Sequence, residues 1–109
     1  MRTKSIGDLR QRVTLEQASR VDDGGGGADE TWVSLAVLWA SIEPLGGGED
    51  VVADVIDGSV THEIWIRYRD GIQPAMRFNH GGRIFEILRV IDVEERHRWL
   101  RMFCLEQRL

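Results

Sequence analysis

The stretch His62-Glu63-Ile64-Trp65-Ile66-Arg67-Tyr68-Arg69-Asp70-Gly71 alternates with a period of two, and that alternation decides the fold class. His62, Ile64, Ile66 and Tyr68 share one face of an extended chain, and Glu63, Trp65, Arg67 and Arg69 share the other. Asp70-Gly71 then turns the chain, and Pro74 keeps the next residues extended. Upstream, Arg12-Val13-Thr14-Leu15-Glu16-Gln17 sets Val13 and Leu15 against Thr14 and Glu16, again a half-buried strand. Residues 31–43 form the longest strand candidate. Trp32, Val33, Leu35, Val37, Leu38, Trp39 and Ile42 make it apolar on both faces, as in a central strand or one covered by a partner. Ala36 and Ala40 leave a helix open as the alternative. Pro44 and Gly46-Gly47-Gly48 end the run.

Downstream, Met76-Arg77-Phe78 and Arg83-Ile84-Phe85-Glu86-Ile87 flank Asn79-His80-Gly81-Gly82, a hairpin signal. Residues 88–93 carry the strand on, Glu94-Glu95-Arg96-His97-Arg98 is a polar turn, and residues 99–106 close the chain as a last strand. About six short strands with glycine-rich connections predict an all-β fold, a small antiparallel barrel or sandwich.

Two interruptions stand out. Asp22-Asp23-Gly24-Gly25-Gly26-Gly27-Ala28-Asp29 lacks the Lys-Ser/Thr or following helix of a phosphate cradle and reads as a hairpin tip or loose loop. Glu49-Asp50-Val51-Val52-Ala53-Asp54-Val55-Ile56-Asp57 reads as a short helix with acids in its first turn and Gly58 as its stop. A long, partly helical inter-strand loop over residues 45–60 is therefore expected between two strands.

At 109 residues the chain is one domain, spanning residues 1–109. The longest apolar stretch, residues 35–40, is far short of a membrane span. Arg2 and Lys4 precede no apolar run, which argues against a secretory signal. Cys104 is the single cysteine, so no internal disulfide forms.

Charge is segregated along the chain. Ten acids and no Lys or Arg lie between Val21 and Ile66, and thirteen of the fourteen basic residues are Arg, all outside that span. A formal net charge of −4 argues against gripping nucleic acid by bulk electrostatics. The acids are either solvated loops or a surface that must not adhere, with Arg supplying contacts to partner proteins.

No catalytic constellation emerges. His62 and Glu63 are neighbours on a strand and point to opposite faces. His80 sits at a hairpin tip and is expected exposed, and His97 lies in a charged turn. The three His lack zinc-site spacing, and Cys104 in a strand reads as a small core residue. No metal, cofactor or enzymatic activity is expected. Trp32, Trp39, Trp65 and Trp99 could form a stacking platform for single-stranded nucleic acid in an OB-type module. Core and subunit-interface roles suit them better, because Trp and Arg dominate interface hot spots.

The ordered set of motifs resembles the head–tail joining proteins of tailed bacteriophages, the head-completion or stopper family that also occurs in prophages and gene transfer agents. The residues carrying the resemblance are Ile6-Gly7-Asp8-Leu9-Arg10-Gln11-Arg12-Val13-Thr14-Leu15 and Val37-Leu38-Trp39-Ala40-Ser41-Ile42-Glu43-Pro44-Leu45. Others are His62-Glu63-Ile64-Trp65-Ile66-Arg67-Tyr68 and Ile91-Asp92-Val93-Glu94-Glu95-Arg96 ahead of Cys104-Leu105-Glu106.

The resemblance implies a β-barrel subunit in a homo-oligomeric ring, six- or twelve-fold, between the portal or adaptor and the tail. Double-stranded DNA would pass through its lumen without sequence-specific binding, and no membrane is involved. Assembly would take place in the bacterial cytoplasm and the finished protein would sit in the particle neck. Residues 45–60 would be the loop that projects into the lumen and closes it after packaging, gating the channel, with Gly46, Gly47, Gly48 and Gly58 as hinges and Glu49, Asp50, Asp54 and Asp57 lining the channel. Arg67, Arg69, Arg77 and Trp65 would contribute to contacts with a neighbour or docking protein. A tail terminator or other tail-side ring protein is the nearer alternative, and the OB-type module the more distant one.

Overall fold

Apolar alternation buries a strand only if a second strand satisfies its backbone, and here six strands satisfy one another in a closed ring. The computed structural model describes residues 4–22, 24–25, 28–45 and 60–107. The strands are β1 (Gln11–Asp22), β2 (Ala28–Pro44), β3 (His62–Arg67), β4 (Arg77–His80), β5 (Arg83–Asp92) and β6 (Trp99–Gln107). They form an antiparallel barrel in the order β1-β2-β3-β6-β5-β4, with β4 returning to β1. Short 3-10 turns lie at Ile6–Asp8 and Val93–Glu95, and there is no α-helix among the described residues.

The helix left open for residues 31–43 is not formed. β-branched and aromatic residues outweigh Ala36 and Ala40, and β1 pairs with β2 from end to end. The helix expected over residues 49–57 lies outside the described residues, as do the four proposed hinge glycines and the four proposed channel acids.

The barrel interior holds Val13 and Leu15 of β1, Ala40 of β2, Ile64 and Ile66 of β3, and Phe78 of β4. Phe85 and Ile87 of β5 and Leu100, Met102 and Cys104 of β6 complete the wall, joined by Ile72 and Met76 from the β3–β4 connection. The hairpin expected at Asn79-His80-Gly81-Gly82 forms as a two-residue turn. Gly81 and Gly82 have φ of +59° and +94°, the left-handed pair that suits a tight antiparallel connection. The Gly82 amide donates to Asn79 Oδ1 at 3.0 Å.

One feature exceeds what alternation alone suggested. β4 pairs with β1 only at Thr14, Leu15 and Glu16, and β3 pairs with β2 only over residues 40–44. Residues 17–22 and 28–34 therefore run on as a two-stranded ribbon beyond the barrel. A register shift opposite Leu15 and Glu16 leaves Leu35 as an extra residue where the ribbon departs. The molecule measures 52 × 28 × 27 Å.

Candidate interaction surface

Side chains that face outward from a barrel are normally wet, yet the outer face of β3 and β6 is dry. Trp65 is 5% exposed, Phe103 4% and Glu63 8%. They sit apart from the barrel core, side by side through the register pairs Trp65↔Arg101 and Glu63↔Phe103. The Arg101 guanidinium lies 5.8 Å from the Trp65 ring centre and 4.8 Å from that of Phe103, and its Nε donates to Glu63 Oε1 at 2.6 Å. The Trp65 indole N–H donates to the same carboxylate oxygen. Lys4 lies 5.6 Å over Trp65 and pairs with Glu43. The N-terminal segment thus folds back across the wall. Trp65, expected at a subunit contact, is covered by its own chain.

Next to this dry patch the wall opens. Val37 and Trp39 of β2 are 56% and 52% exposed, and Ile6 is exposed beside them. With Leu9, Leu38, Ile66, Arg67, Tyr68 and Arg69 they line a groove of about 650 Å³ where β2 and β3 part. Arg12 stands 5.0 Å from the Trp39 ring centre on the barrel's outer side, and Arg67 stands 5.4 Å from that of Trp99. Arg67 and Arg69 are exposed, so two of the three arginines expected at an interface face an open apolar groove. Arg77 is not free: it pairs with Glu16 at 2.6 Å and stacks 3.9 Å from the centre of Trp32. Nothing adjacent to Trp39 in the sequence sets it apart from Trp32, Trp65 and Trp99. Only the place where β3 stops pairing with β2 shows that it is uncovered.

The remaining titratable groups serve structure. His62 faces the barrel interior, its ring edge-on to Phe85 at 4.9 Å, near Glu106 and Arg83. Burial lowers its pKa below the ordinary imidazole value; Glu106 partly opposes this and Arg83 adds to it. His80, expected exposed, is half-buried, and its Nδ1 has no hydrogen-bond partner. His97 stacks on Tyr68 with ring centres 4.6 Å apart and lies 3.2 Å from Asp92. Cys104 is fully buried, and desolvation pushes its thiol well above the usual range, so it is a poor nucleophile. Among the described residues no three His, Cys, Asp or Glu side chains gather to hold a metal ion, and no helix is long and apolar enough to cross a membrane.

A model of the phage head completion protein family matches residues 4–107. No curated protein matched the chain. Among solved structures, a protein from Shigella flexneri 2a studied in solution superposes with a TM-score of 0.74 at 26% identity, covering 94% of this chain and 96% of the other. A chain from the virion of a native gene transfer agent particle superposes with a TM-score of 0.67 at 29% identity, covering 91% and 96%. The family match over almost the whole chain shows one class of structural virion protein: this chain belongs to the phage head completion protein family.

Proposed function

We propose that the protein is a ring subunit at the head–tail joint of a tailed phage or gene transfer agent. It sits between the portal or adaptor and the tail and extends the channel through which double-stranded DNA passes. The observation that carries this reading is the family match over residues 4–107, supported by the likeness to a chain of a gene transfer agent virion. A cyclic ring needs two different complementary faces on each subunit. The Arg67–Arg69 groove with Trp39 supplies an apolar, cationic one. The acid-only span supplies negative charge, and Glu49, Asp50, Asp54 and Asp57 would line the lumen, where like charge keeps a phosphate polymer from adhering. Gly46, Gly47, Gly48 and Gly58 would let that segment swing.

The described tryptophans do not favour a single-strand-binding role. Trp65 is buried, Trp32 lies under Arg77 and Trp99 beside Arg67, so no row of open rings is presented for base stacking. Deleting residues 46–58 tests the channel reading. In this reading residues 45–60 also close the lumen once the head is filled, so the barrel should fold and enter particles while filled heads lose DNA; particles that retain DNA as well as wild type would sink the closing role.

A further inference from the structure

The ribbon formed by residues 17–22 and 28–34 has two free edges. On the β2 side, no described strand pairs with residues 28–39, since β3 begins its pairing at Ala40. That edge is about 40 Å long at 3.4 Å per residue. On the β1 side, β4 stops at Glu16, leaving residues 17–22 open for about 20 Å. Exposed edges are normally guarded by charge or proline. Thr31-Trp32-Val33-Ser34-Leu35-Ala36-Val37-Leu38-Trp39 contains neither. Val33, Leu35, Val37 and Trp39 are between 42% and 56% exposed. The bulge at Leu35 bends this edge without closing it.

We infer that residues 28–33 on the β2 edge of one subunit pair with residues 17–22 on the β1 edge of the next copy, joining the ribbons into a continuous β belt around the ring. This rests on the ring reading above and specifies its contact. β1 and β2 run in opposite directions within the ribbon. Rotation about an axis along the ribbon therefore brings β2 against the next β1 antiparallel, in the same sense as inside the chain. Arg20 is level with Glu30 within each ribbon. Rotation without translation also sets each Glu30 level with the next copy's Arg20, so opposite charges alternate around the belt. The contact is heterologous, as a closed ring demands. The second copy is the occupant the geometry favours, because the same molecule carries the complementary open edge.

The test uses particles produced in cells with the full chain. Thr31→Lys/Val33→Lys places two charges at exposed positions within the pairing stretch, and Val33→Thr keeps strand propensity as the control. The Lys pair should lower incorporation into particles at least tenfold while the isolated subunit keeps its melting temperature and circular dichroism; the Thr variant should assemble. Co-expressed Ser19→Cys and Thr31→Cys chains should give a disulfide-linked dimer of the two species in assembled particles. If wild-type particles show the ring but the Lys pair assembles normally and no cross-link forms, the belt is wrong and the ring reading stands. A foreign strand imaged on the β2 edge would also overturn the belt. If wild-type particles show no ring of this protein, both readings fall.

Discussion

Glu63 is the residue on which the outer wall turns. Its carboxylate is nearly dry and is held by the Arg101 guanidinium at 2.6 Å and by the Trp65 indole N–H. A buried charge that loses its partner costs far more than the pair contributes, because the remaining ion keeps its desolvation penalty. Arg101→Ala should therefore destabilise the barrel by about 2–4 kcal/mol, read as a drop in the urea midpoint at unchanged slope. Adding Glu63→Gln to that background should restore a large part of the loss. Strict additivity of the two single changes would show that the ion pair is not what holds Trp65 and Phe103 down.

At the scale of elements, Arg77 fastens the ribbon to the barrel. It sits on β4, pairs with Glu16 at the last β1–β4 rung and covers Trp32 of β2. Arg77→Ala should raise amide exchange in residues 17–22 and 28–34 by tenfold or more while the core strands keep their protection. Equal exchange in the ribbon would assign Arg77 some other role. The six strands were readable because period-two alternation and turn residues such as Asn79-His80-Gly81-Gly82 act locally. The ribbon was not. Gln17-Ala18-Ser19-Arg20 carries no apolar alternation, and it is a strand only because residues of β2 lie opposite it. The cover over Trp65 was equally hidden: Lys4 reaches it only after the chain has folded back, and nothing near Trp65 in sequence announces that.

The whole molecule redistributes the charge that the sequence lays out in blocks. Lys4 pairs with Glu43 and Arg101 with Glu63, so two acids of the acid-only span meet basic groups from outside it. The exposed Arg67 and Arg69 remain beside the groove. Arg67→Glu/Arg69→Glu should leave the subunit folded, with a melting temperature within about 3 °C of wild type, since exposed charges contribute little to stability. It should nevertheless abolish incorporation into particles. Wild-type incorporation by this variant would remove the groove from the assembly surface. Family membership was legible from the order of motifs, whereas the groove itself depends on where β2 and β3 part.

The closure of β4 onto β1 through Thr14, Leu15 and Glu16 has a mechanical corollary. The ribbon is anchored at the very rung where the cylinder is zipped shut by three pairs, so tension on the ribbon is delivered to the shortest zipper in the wall. A pull strong enough to dislodge it would unfasten the staves there first, leaving the longer β5–β6 and β1–β2 joints to hold the rest together.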